Sequence, residues 1–232
     1  MAPMASLREG YRALVFGASG AIGQAFVQAL RQDARCAEVL AVSRGQPVAW
    51  DLADEQSLAR LAAQLPGPWH LVVDATGALS LDGKGPEKRL QDLDAEHLAR
   101  SVQVNALGPA LLLKHLAPQL ARGERVVWAK LSARVGSIED NHKGGWYGYR
   151  AAKAALNQLL QTAAIELARQ RPLAVVAALQ PGTVRSALSA PFVGEAAMAP
   201  GEAVRGLLAA LDAAPATGRA HFLDYRGQTI PW

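Results

Sequence analysis

Arg12-Ala13-Leu14-Val15-Phe16-Gly17-Ala18-Ser19-Gly20-Ala21-Ile22-Gly23 is the stretch whose reading decides the fold. Its first five residues read as a short buried strand, and a glycine-rich turn follows at once. Beyond the turn, Ile22, Phe26, Val27 and Leu30 recur at helical spacing. Strand, glycine turn and helix in that order give a glycine motif its meaning. Gly17 permits a tight turn, Gly20 lets the backbone approach a pyrophosphate, and Gly23 lets the helix pack closely on the strand. With Ser19, Ala21 and Ile22 they form a candidate cradle for a dinucleotide phosphate, because N–H groups at a helix N-terminus are anion donors.

Working outward, apolar runs alternate with helical patterns along the whole chain. Strands are expected at 12–16, 38–43, 47–50, 70–75, 124–131, 173–179 and 219–224, and helices at about 20–33, 54–64, 93–120, 148–170 and 201–213. Such alternation calls for an α/β fold, a parallel sheet with helices on both faces. Leu79 to Arg89, rich in Gly, Lys and Asp, reads as a loop. With no linker and no internal repeat, residues 1–232 are expected to be a single domain.

The strand expected at 38–43 leads into Ser43-Arg44. An acidic side chain here would accept from the adenosine ribose hydroxyls and repel a phosphate, and none is present. Ser43 can donate to a phosphate and Arg44 can pair with it bidentately, so NADP(H) is favoured over NAD(H). Asp51-Leu52 is placed to border the adenine, although Asp51 could equally cap the following helix. Farther on, Tyr149 and Lys153 stand four residues apart on one helix face. An ammonium beside a phenol would favour the phenolate, so this pair is a candidate for proton transfer near neutrality.

Bulk properties narrow the alternatives. Half the residues are hydrophobic, yet no apolar run is long enough to span a membrane. The N-terminus shows no export-type pattern, and the single cysteine, Cys36, excludes an internal disulfide framework. A cytoplasmic location is therefore expected. The net charge of +4 is modest and its basic residues are dispersed, which gives nucleic-acid binding little support. No metal ligands are assigned.

Taken together, these motifs resemble the short-chain dehydrogenases/reductases over nearly the full length, most closely their C-factor-like branch. The matching pieces are GASGAIG at 17–23, Asp51-Leu52, DATG at 74–77, VNALGP at 104–109, SARVGSIEDN at 132–141, GGWYGYRAAKAAL at 144–156 and PGTVRS at 181–186. The resemblance implies a Rossmann fold, a doubly wound seven-stranded parallel sheet with the cofactor across the carboxyl ends of its strands. It makes Tyr149 the general acid/base of hydride transfer between nicotinamide and a carbonyl or alcohol substrate. Lys153 would hold the nicotinamide ribose and depress the tyrosine pKa. Asn105, just before Gly108-Pro109 where a helix irregularity is expected, would anchor a water leading to Lys153. Ala75, Thr76 and Gly77 would line a ribose, while Pro181, Gly182, Thr183 and Val184 would run along the nicotinamide. The resemblance also implies a substrate lid at about 187–199, with Phe192 and Met198, and a homodimer or homotetramer.

Several positions depart from the family pattern, among them Ala152, where a serine is common before the lysine. Ala21 stands where a glycine is usual, and Asp74 where an asparagine is usual. Ala133 occupies the place of the substrate-orienting serine, with Ser132 one residue earlier. A one-residue displacement on a strand turns a side chain to the opposite face. Either the strand ends or bulges so that Ser132 reaches the substrate, or Ser137 or a water replaces it. A catalytically weak NADP-binding signalling or sensor protein is the alternative that Ala133 keeps open.

Overall fold

Six strands, β1 (Tyr11–Phe16), β2 (Cys36–Val42), β3 (Leu71–Asp74), β4 (Val126–Leu131), β5 (Ala174–Gln180) and β6 (Ala220–Asp224), pair in the order β2-β1-β3-β4-β5-β6, every pair parallel. The structure is a computed structural model that describes residues 4–45, 48–186 and 197–232. In register, Phe16 stands beside Val42 on one side and Asp74 on the other, and Asp74 stands beside Lys130. The carboxyl ends of the central strands therefore lie level. The strand order reverses at β1, and in such sheets ligands bind in the crevice outside the strand ends at that reversal.

Parity along the strands divides the core in two. Leu14, Phe16, Val72, Trp128 and Val176 face Leu58 of α2 (Glu55–Ala63), Leu112 of α4 (Gly108–Leu116) and Leu156 and Leu160 of α5 (Tyr147–Gln170). Their neighbours Ala13, Val15, Val73, Ala129 and Val175 face Phe26 and Leu30 of α1 (Ala21–Arg31) and Leu207 and Leu211 of α6 (Pro200–Ala213). The central strands β1, β3, β4 and β5 are buried on both faces and read as mainly apolar runs, whereas the edge strand β2 exposes Ala37 and Glu38.

The seventh strand, expected at 47–50, is not formed: the described residues Val48, Ala49 and Trp50 carry no strand. Trp50 instead turns inward. It is 8% exposed, packs edge-on against Phe16 at 6.1 Å and donates its indole N–H to the Ser43 carbonyl at 2.9 Å. An anchored indole at the sheet margin and a ladder position are competing uses of the same three residues.

The expected helix 93–120 is broken into pieces. Residues Ala95–Val102 form α3, Gln103–Leu107 widen into a π turn, α4 follows, and Ala117–Gln119 close as a 3₁₀ turn. Pro109 has no N–H to give the Asn105 carbonyl, its partner in an unbroken α-helix. The widening falls where the Gly108-Pro109 pair predicts an irregularity.

Trp50→Ala should lower stability by about 3–5 kcal/mol through loss of a buried indole. Trp50→Phe keeps a ring against Phe16 and should cost less. Urea unfolding midpoints of the two variants check this order.

Candidate active site

The β1–α1 turn is built by close approach. Gly17 sits at φ +71, and a Cβ there would lie 2.9 Å from the Ala75 carbonyl carbon. A Cβ on Gly23 would run into the Gly17 carbonyl oxygen. Both glycines are therefore steric requirements of the turn. Gly20 caps α1 without a side-chain hydrogen bond, and no acidic residue stands in the first helical turn. This helix N-terminus is left available to an anion.

A cavity of about 530 Å³ opens at the strand ends, and Gly20, Ala21, Ile22 and Gly23 form one wall. Ala75, Thr76 and Gly77 form its floor, and Ser132, Tyr149, Lys153 and Pro181 the opposite side. A second lobe of about 330 Å³ shares Gly20, Arg44 and residues 75–78 with the first, and adds Gly17, Ser19, Asp51 and Leu52. One continuous cleft thus runs from Arg44 across the glycine turn to Tyr149.

Tyr149 and Lys153 occupy consecutive turns of α5, whose start is pinned from outside the helix. The buried Glu87 accepts from the Gly148 N–H at 2.9 Å, favourable for a carboxylate at a helix N-terminus. Lys153 is 2% exposed and donates to the Leu131 carbonyl at 3.0 Å. Its ammonium lies 5.5 Å from the Tyr149 ring centroid. Burial pushes Lys153 well below the usual lysine range, the nearby Lys130 ammonium pushes the same way, and Asp74 opposes them. Burial pushes the Tyr149 phenol up to about 12. The depressed phenol expected from the sequence is therefore not found. Desolvation is the cause, and the same burial drives the lysine toward its neutral form.

Asn105 lies in the π turn, fully buried. Its side chain is wholly engaged by one residue, with Oδ1 accepting from the Ala78 N–H at 2.9 Å and Nδ2 donating to the Ala78 carbonyl at 2.8 Å. It stands behind the cavity wall and fixes the floor. A Cβ on Gly77 would lie 3.2 Å from Asn105 Oδ1 and 3.6 Å from Lys153 Nζ, so these three residues meet at one point.

Beneath that floor lies an ion pair with no exposure. Lys130 Nζ is 3.1 Å from Asp74 Oδ1 and donates to the Thr76 carbonyl at 2.6 Å. Asp74 Oδ1 also accepts from the Thr76 N–H and hydroxyl at 2.9 and 2.6 Å. Asp74, at the position usual for asparagine, is half of a charged clamp on the segment that lines the cleft.

The serine question has a geometric answer. Strand β4 ends at Leu131, and Ser132 continues the parity of Trp128 and Lys130 toward α5. Ser132 lines the cavity beside Tyr149. Ser137 is absent from its wall; its hydroxyl accepts from the Asp140 N–H at 3.0 Å and donates to the Trp232 carbonyl at 3.4 Å.

Other expectations fare differently. Ser43 does not line either lobe; its carbonyl accepts from Trp50. Asp51 lines the second lobe, and the cap of α2 is Asp54, whose side chain accepts from the Gln56 N–H. Gly182, Thr183 and Val184 are not among the lining residues. Gly182 packs against the Tyr225 ring, and Val184 bridges to Met198. Of the lid at 187–199, residues 187–196, Phe192 among them, lie outside the described residues. The sequence reading missed Leu79, Ser80 and Ser186 in the first lobe and Trp50, Leu81, Arg100 and Val104 in the second. Arg100 and Val104 are four residues apart just before Asn105, a helical-face signal that could have exposed them.

Comparison with known proteins identifies the family. Residues 10–206 match the family described as enoyl-(acyl carrier protein) reductase. The chain belongs to the short-chain dehydrogenases/reductases and is an oxidoreductase of that family. It is 34% identical to the C-signal of Myxococcus xanthus over 143 residues, 62% of this chain and 83% of that one. It is 30% identical to the 1-hydroxy-2-glutathionyl-2-methyl-3-butene dehydrogenase of Rhodococcus sp. (strain AD45) over 186 residues, 78% of each. A carbonyl reductase from Pseudomonas aeruginosa PAO1 in complex with NADP superposes with a TM-score of 0.71 at 25% identity, covering 96% of this chain and 100% of that one. Among the described residues, no helix is long and apolar enough to cross a membrane.

Lys130→Met should destabilise the fold by about 3–5 kcal/mol, because it leaves the Asp74 carboxylate buried and unpaired. The double variant Asp74→Asn/Lys130→Met should recover much of that loss. Chemical denaturation of the three proteins measures it.

Proposed function

We propose that this chain is an NADP(H)-dependent carbonyl reductase, running alcohol oxidation in reverse, with Tyr149 as its general acid/base. The observation that carries this reading is one cleft holding Tyr149, Lys153 and Ser132 at one end and Arg44 at the other, with the glycine turn between. The residues present fit the cofactor. The uncapped start of α1 beside the tight glycine turn suits a pyrophosphate, and Arg44 suits a 2′-phosphate. The NADP complex of the Pseudomonas relative supports the same choice. When bound, NADPH supplies a hydride from its nicotinamide.

The chain's own residues handle the rest. Thr76, Gly77 and Lys153 are placed to hold a ribose. Tyr149, with its proton held up to about 12, is a phenol at neutral pH and a competent acid for a carbonyl oxygen gaining negative charge. Ser132 is the second hydroxyl beside it. The cavity that Tyr149 lines also includes Leu79 and Leu131, which favours a mainly apolar carbonyl compound.

Tyr149→Phe should lower carbonyl reduction by about 10²–10⁴-fold while NADPH binding, read by its fluorescence, stays close to wild type. Undiminished turnover in that variant rejects Tyr149 as the acid. Arg44→Ala should weaken NADPH by roughly tenfold or more and leave NADH nearly unchanged, as charge-assisted pairing with a phosphate requires. Because the raised phenol keeps its proton through neutrality, reduction should be flat with pH there and fall only on the alkaline side. Alcohol oxidation, which needs the deprotonated oxygen, should rise with pH. Initial rates in both directions check the two signs.

A further inference from the structure

Ser132 and Asn157 form a buried pair that the proton transfer described above does not use. Asn157 stands one helical turn beyond Lys153 and two beyond Tyr149, so all three share one face of α5. It is 3% exposed and Ser132 is 5% exposed. The Ser132 hydroxyl donates to Asn157 Oδ1 at 2.7 Å. At the other end of the same amide, Nδ2 is buried with no partner. Buried N–H groups without acceptors are rare, and a carboxamide has one accepting and one donating end.

The two ends have opposite consequences for the cavity. With Oδ1 toward Ser132, the serine proton is directed at Asn157, and Oγ presents only lone pairs to a substrate. With the amide turned by half a rotation, Nδ2 donates to Oγ and the serine proton is free to point into the cavity. Each arrangement leaves one end of the amide without a partner, and an under-satisfied carbonyl is the less unusual of the two. The exchange needs rotation about a single side-chain bond. A carbonyl oxygen that becomes an alkoxide is stabilised by donors, and only the second arrangement makes Ser132 one.

We propose that Asn157 is a positioning residue that sets the hydrogen-bond polarity of Ser132, its amide nitrogen turning toward Oγ to make the serine a donor to the substrate oxygen. This rests on the carbonyl-reductase reading and extends it to a residue that does not touch the substrate. Ala133 stands where relatives place their serine, and the burial of Ser132 against α5 puts its polarity under the control of a helix side chain.

The test is a mutant cycle read with NADPH and benzaldehyde, together with NADPH binding. In Asn157→Asp the carboxylate can only accept, so the serine proton stays turned away from the substrate. Turnover should fall about 10²–10³-fold, as far as in Ser132→Ala, with NADPH affinity kept. The double variant should be no worse than Ser132→Ala alone, because both changes remove the same donor. Asn157→Leu, which cannot hold the proton, should lose less than the isosteric Asn157→Asp. Additive losses, or the reverse order of Leu and Asp, overturn the proposal, since that is what a packing role gives.

A second measurement does not depend on turnover. The Asn157 side-chain amide resonances, assigned by their disappearance in Asn157→Asp, should be broadened by exchange in the NADPH-bound wild type. They should sharpen and shift in Ser132→Ala. One sharp set that ignores Ser132→Ala overturns the proposal whether or not benzaldehyde is reduced. A wild type that oxidises NADPH with neither benzaldehyde nor a panel of ketones counts against the reductase reading instead.

Discussion

The buried bond from Lys153 to the Leu131 carbonyl, 3.0 Å long, is the constraint on which the rest of the site depends. It fastens helix α5 to the carboxyl end of β4 at the level where the cleft opens. The approach is close enough that Gly136 must lack a side chain, since a Cβ there would lie 2.8 Å from the Cβ of Lys153. Once α5 is held at that distance, Tyr149 projects into the cavity and Ser132 is enclosed by the same helix. Burial then sets the chemistry. The phenol keeps its proton and the amine tends to lose one, both because charge is disfavoured away from water.

Charge around the cleft is arranged in layers. At the bottom, Asp74 and Lys130 neutralise each other within the sheet and grip Thr76. Above them Lys153 sits among mutually opposing influences, from Lys130 in one direction and Asp74 in the other. Toward the open end, Arg44 and Arg100 both line the second lobe, and the start of α1 contributes its own partial positive charge. An anion entering this cleft meets these positive groups, with the Asp51 carboxylate on the same wall. Its negative charge would push Lys153 back toward the protonated form, so ligand binding and the protonation state of the lysine are physically linked.

Much of the architecture was legible along the chain because short-range rules govern it. Glycine spacing at 17–23 prescribes a turn whatever surrounds it, and Pro109 removes a helical N–H four residues after Asn105, so the π turn is written locally. The strand expected at 47–50 fails for the opposite reason. Its apolar pattern suits an inward-facing indole as well as a ladder, and the contact between Trp50 and Phe16 that decides the matter is long-range. The segment after β5 shows the same division: the sequence PGTV marks a turn, whereas the contact of Gly182 with Tyr225 and the pairing of Val184 with Met198 are long-range.

The sequence by itself determined the alternating fold, the phosphate turn and the four-residue spacing of Tyr149 and Lys153, because each follows from backbone geometry within a few residues. Only the tertiary structure decided that Ser132 rather than Ser137 faces the cleft, that Asn105 is engaged by Ala78, and that the phenol is raised rather than lowered. Those outcomes depend on which groups are brought together from distant segments and how much water is excluded between them. No local pattern encodes either quantity.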